Sequence, residues 1–167
     1  MKYLCSVVTL ILIAALSVVY GQGVVVNRPI ASNTFMFSDT VFRIGMLKYL
    51  PGLYYSDKGS FSHSLPGKID SLVNFLLNNP RVKVEIQLHQ FGGNPAYILK
   101  QSQHMANLTR DYMFEKGILE TKFNIDGYGG EKPLIPYDLI RAYNDPSISD
   151  AARKLNTRIE VRIVQIE

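Results

Sequence analysis

Apolar and polar positions recur along this chain with two different periods, and the switches between them mark out a succession of elements. Residues 81–88 alternate strictly, with Val82, Val84, Ile86 and Leu88 on one side and Arg81, Lys83, Glu85 and Gln87 on the other, the signature of a half-buried strand. Before it, Leu65, Ile69, Leu72, Val73, Leu76 and Leu77 stand three and four apart on one helical face, and Asn78-Asn79-Pro80 ends that helix. After it, Gly92-Gly93-Asn94-Pro95 reads as a loop. Residues 96–116 then return to the helical period through Ile98, Met105, Leu108, Tyr112 and Met113, closed by Gly117.

The pattern shortens towards the C-terminus. Phe123 and Ile125 alternate with Asn124 and Asp126 in a short strand, and Gly127-Tyr128-Gly129-Gly130 after it is read as a turn. Residues 135–155 are irregular, with room for a short helix over 137–143. Ile159, Val161 and Ile163 alternate with Arg158, Glu160 and Arg162 in a final strand. Upstream, residues 42–55 mix Phe42, Ile44, Leu47, Tyr49, Leu53 and Tyr55 with Gly45, Pro51 and Gly52, which predicts one or two short strands with a break. Residues 22–41 hold no sustained period and are read as a lead-in with at most one edge strand.

This order predicts an α/β fold, an α+β sandwich of βαβαβ(α)β order. Its mixed sheet carries helices on one face and leaves the polar strand faces more exposed. No internal repeat or low-complexity tract interrupts it.

Residues 1–21 follow another logic. One cation, Lys2, precedes a stretch without charge from Leu4 to Val19, and Val19-Tyr20-Gly21 supplies a site of the kind signal peptidase reads. We read a cleaved signal peptide; the competing reading is an uncleaved anchor. The apolar core, Val7 to Val19 broken only by Thr9 and Ser17, falls short of the roughly 20 residues a bilayer span requires. After cleavage no transmembrane span is expected. Cleavage also removes Cys5, the only cysteine, so the exported chain has no thiol chemistry and folds on its core alone. Export places it in the periplasm by default, with attachment to the outer membrane open.

Charge excludes one class of partner. The 18 Lys plus Arg against 14 Asp plus Glu are only mildly basic and are scattered, which argues against nucleic acid. His63, His89 and His104 lack metal-ligand spacing, and no metal or cofactor is expected. Ser102, His104 and Asp126 could be assembled into a triad, as could such a set in nearly any chain of this size. No Gly-x-Ser-x-Gly elbow is present, and the Gly-Tyr-Gly-Gly run lacks the Lys-Ser/Thr of a phosphate loop. The reading is of a non-catalytic protein.

Several marks stand in order: Asn79-Pro80-Arg81-Val82-Lys83-Val84-Glu85-Ile86, Ala96-Tyr97, Lys116-Gly117-Ile118, Gly127-Tyr128-Gly129 with Pro133 beyond, and Asn156-Thr157-Arg158-Ile159-Glu160-Val161. Through them residues 42–167 resemble the OmpA-like C-terminal domain family, the OmpA/MotB-type peptidoglycan-binding module of bacterial envelopes; Leu53-Tyr54-Tyr55 and Asp57-Lys58 resemble the first strand of its Bacteroidetes members. The resemblance implies association with the peptidoglycan stem peptide.

Family members usually grip diaminopimelate with an Asp after the second strand and an Arg on the second helix. Here Gln90 takes the Asp position in an ungapped count, and Phe91 takes it if His89 is matched to the family's usual His. Met105 replaces the Arg and Ile98 an Asn. Asn156, Arg158 and Ser102 keep family identities, and Gly130 stands where a Glu often follows. Two readings remain open: a wall-binding module with an altered pocket at His89, Gln90, Phe91, Ile98, Met105, Asn156 and Arg158, or an envelope scaffold that meets other envelope proteins through Gln90, Phe91, Ile98 and Met105.

Overall fold

The computed structural model describes residues 33–51, 65–142 and 145–167. The predicted signal peptide, the first part of the predicted lead-in, and the Leu53-Tyr54-Tyr55 and Asp57-Lys58 neighbourhoods lie outside the described residues.

Four strands form one sheet in the order β1-β4-β2-β3: β1 (Leu47–Pro51), β2 (Val82–His89), β3 (Phe123–Gly129) and β4 (Arg158–Ile166). β4 lies between β1 and β2 and runs antiparallel to both, while β2 and β3 are parallel. Parallel neighbours need a crossover, and α2 (Pro95–Glu115) supplies it. The other helices are α1 (Leu65–Asn78), α3 (Tyr137–Ala142) and α4 (Pro146–Asn156). Among the described residues no helix is long and apolar enough to cross a membrane.

The alternation in β2 sends Val82, Val84, Ile86 and Leu88 into the core, where they meet Ile159, Val161 and Ile163 of β4 and Ile69, Leu72, Val73 and Leu76 of α1. Two positions of α1 depart from the expected face: Leu77 is 53 % exposed, and Phe75 is buried instead. Phe75 has its own partners, the rings of Phe35, Phe37 and Phe42, whose centroids lie 5.2–5.4 Å from its own. These come from residues 33–46, which also pair with the sheet edge: the Phe35 amide donates to Leu47 O and the Leu47 amide to Asn33 O.

Local signals set the helix ends. Asn94 Oδ1 accepts from the amides of Ala96 and Tyr97, with Pro95 opening α2. At the far end the Ile118 amide reaches back to Met113 O across Gly117 at φ +84. α4 was not anticipated as a separate helix, although Asp145, which accepts from the Ser147 amide, and Pro146 form an N-terminal start of the same kind.

Two expectations fail. Gly127-Tyr128-Gly129 is not a turn but the last part of β3. A Cβ at Gly127 would collide with the Ser102 backbone, and one at Gly129 would stand 2.9 Å from Leu99 Cα. These glycines let α2 lie directly against the strand. The polar sheet face is also less exposed than the pattern implied, because Gln87, His89, Arg158 and Glu160 are all buried. Tyr128 stacks on His89 with centroids 5.7 Å apart, and the stretch after β3 folds over Arg158, so this end of the face is covered.

Candidate functional site

The expected pocket positions gather around the C-terminal end of β2, but they divide into groups with different work. His89, on the polar face of β2, is 3 % exposed, with Nε2 3.8 Å from Glu160 Oε1. Arg158 is 2 % exposed. Its guanidinium donates through Nε to Glu160 Oε1 at 2.9 Å, through Nη1 to Asn156 O at 3.2 Å and through Nη2 to Lys132 O at 3.0 Å, besides the closest Nη2 contact to Glu160. Asn156 is equally committed: its amide donates to Ile135 O and accepts from the Ile135 amide, both at 2.9 Å. Arg158 and Asn156, two of the three polar residues that keep family identities, therefore hold the connection after β3 in place. A buried cation needs such a set of acceptors.

Ile98 and Met105 are 3 % and 1 % exposed. Met105 belongs to the main hydrophobic cluster, and Ile98 packs beneath the loop, its Cγ2 3.6 Å from where a Cβ on Gly93 would stand. The surface that the scaffold reading required thus reduces to Gln90 and Phe91, because the other two present no area to a partner. Ser102 Oγ donates to Leu99 O and accepts from the Gly129 amide, both at 2.8 Å, so it clamps α2 to β3.

Phe91 leads to what the sequence did not disclose. Its ring stacks on Tyr137 at 4.8 Å and 13°, and the Arg153 guanidinium lies 5.8 Å from its centroid. Gly130 explains how Tyr137 comes so close, since a Cβ there would collide with the Tyr137 hydroxyl and stand 3.0 Å from Ile98 Cδ1.

Beside this stack opens a cleft of about 540 Å³, lined by Phe91, Gly92 and Gly93, by Tyr137 and Arg141 of α3, and by Asp145, Ser149 and Arg153 at the start of and along α4. Gly92 and Gly93 have φ +90 and +92, a conformation other residues adopt with strain. Asp145 is engaged at the start of α4, its Oδ1 accepting from the Ser147 amide at 2.8 Å and the Ser147 hydroxyl at 2.7 Å. Arg141 and Arg153 are exposed, and among the described residues neither is within ion-pair distance of a carboxylate. No motif in the family's register marks these residues; the Asp145-Pro146 start of α4 was the available signal.

Strand order, parallel β2–β3 crossover and helix placement together are those of the OmpA-like C-terminal domain, and the chain has that fold. It is similar to a MotB-like protein from Desulfovibrio vulgaris, at 15 % identity over 71 % of this chain and 74 % of that one, with a TM-score of 0.57. The OmpA-like domain of FopA1 from Francisella tularensis gives 22 % identity over 77 % and 79 %, TM-score 0.52. The peptidoglycan-associated lipoprotein of Burkholderia pseudomallei gives 18 % over 68 % and 88 %, TM-score 0.51. No protein-family model and no curated protein sequence matches the chain.

Proposed function

We propose that this protein is a non-catalytic module of the bacterial cell envelope that associates with peptidoglycan, exported to the periplasm by its N-terminal signal and there free or attached to the outer membrane. One observation carries the reading: the cleft is built on Phe91, Gly92 and Gly93, the loop to which the resemblance assigns the stem-peptide grip. A similar structure named as peptidoglycan-associated supports it. The acid and guanidinium usually placed on that loop and on the second helix are replaced by Gln90 or Phe91 and by the buried Met105, so binding rests on other groups. Commitment of Ser102 Oγ to Leu99 O and the Gly129 amide speaks against its use as a nucleophile.

The test is sedimentation of the exported chain with purified sacculi. Saturable retention above a sacculus-free control is expected; equal recovery with and without sacculi overturns the reading. Free diaminopimelate as competitor asks separately whether the usual ligand group is still the one held.

A further inference from the structure

The cleft beside Phe91 carries a more specific chemistry than general wall affinity. We infer that Arg141 and Arg153 form a carboxylate-binding pair on α3 and α4, with the Phe91–Tyr137 stack as the apolar floor for the group that bears the carboxylate. The inference rests on the peptidoglycan reading only for the source of the ligand, a free carboxylate of the stem peptide.

Two guanidiniums line one concavity without a carboxylate within ion-pair distance of either among the described residues, so their donors face solvent or a ligand. A guanidinium presents paired N–H groups in a plane, which matches the two oxygens of a carboxylate. At about 540 Å³ the cleft falls within the range of small-ligand sites, roughly 300–1,000 Å³, large enough for an amino-acid or dipeptide unit. The floor is already ordered: the Phe91 and Tyr137 rings are stacked at 4.8 Å, and a ligand's alkyl group meets a surface whose rotamers need not be frozen on binding.

Asp145 stands in the same wall, so two cations face one anion and the lining keeps a net positive charge towards an anionic ligand.

Two measurements test this. In the first, the Nε–Hε resonances of Arg141 and Arg153 are followed by NMR while N-acetyl-D-alanine, N-acetyl-D-alaninamide or inorganic phosphate is added to the exported chain. Saturable shifts of both resonances with the acid and none with the amide are expected. In the second, Arg141→Ala/Arg153→Ala is compared with wild type and with Lys83→Ala, a charge control on β2, for retention on sacculi. The double variant should lose at least tenfold in retention and the control should match wild type. Both arginines are exposed, and far-UV circular dichroism checks that the variant folds.

Shifts with phosphate but not with the acid, or no shift with either, overturn the inference. So does full retention of the double variant, which leaves the peptidoglycan reading standing. Shifts with the acid and no retention of wild type support the carboxylate pair while overturning its wall-derived source.

Discussion

Gly127 shows how one absent atom shapes this molecule. The backbone of α2 passes so near β3 that a Cβ at this position would collide with Ser102 and Gln103 main-chain atoms, none of which can turn aside as a side chain can. Gly127→Ala should therefore cost about 3 kcal/mol or more, at or beyond the upper end for overpacking, read as a lower urea midpoint. A shift under about 1 kcal/mol would show that helix and strand separate easily. The neighbouring Tyr128 offers a pH-dependent measurement. Burial raises its phenol above the ordinary 10.0, and the carboxylates of Glu85, Asp126 and Glu131 push the same way. The folded chain thus keeps this proton at a pH where the unfolded chain has lost it, so stability falls as pH rises above about 10. Tyr128→Phe should flatten that decline relative to wild type in denaturant titrations across this range; parallel curves would refute the assignment. The Gly-Tyr-Gly run looked like a turn because glycine signals loops far more often than helix–strand contact, and a partner distant in sequence leaves no local mark.

At the scale of elements, β2, β4, α1 and α2 were legible because each buries one face against the same core, and burial of one face is what produces a period in sequence. Their exceptions are equally physical: Leu77 gave way to Phe75 because an aromatic cluster from residues 33–46 covers that side of α1. The connection between β3 and β4 was harder to read. Short α3 buries Ile140 alone, too little for a visible stripe, whereas α4 does carry one in sequence, with Ile148, Ala151, Ala152 and Leu155 three and four apart. Polar groups also hold this connection, Asn156 among them. Both hydrogen bonds of its amide go to the main chain of Ile135, so Asn156→Ala leaves two partly buried peptide groups without their partner, at about 1–3 kcal/mol. Hydrogen exchange locates the effect: the Ile135 amide should exchange faster in the variant while the Ile86 amide in β2 keeps its protection. Equal acceleration at both would mean that Asn156 supports the whole fold rather than this connection.

Across the whole molecule, the division of labour between its two polar regions explains why the fold was easier to read than the site. His89, Arg158 and Asn156 stand at positions where the resemblance placed ligand contacts, yet they are buried together with Glu160 and the polar groups of Arg158 and Asn156 are turned inward. The open cleft uses side chains from α3 and α4 that only the folded chain brings beside Phe91. A similar relocation holds at the other end of the sheet, where residues 33–46 act as part of the core rather than as a lead-in alone. Phe35 is 2 % exposed, its ring 5.9, 6.0 and 5.4 Å from those of Phe37, Phe42 and Phe75, and it belongs to the same hydrophobic cluster as Ile69, Ile86 and Ile163. Since that cluster is continuous, a cavity at Phe35 should weaken the entire domain. Phe35→Ala is expected to cost about 3–5 kcal/mol while preserving a single unfolding transition. With ten tyrosines and no tryptophan, the transition is best followed by far-UV circular dichroism together with tyrosine fluorescence. Coincident curves shifted to lower urea would establish residues 33–46 as integral to the fold; a loss below about 1 kcal/mol, or two separate transitions, would return them to the status of an appendage.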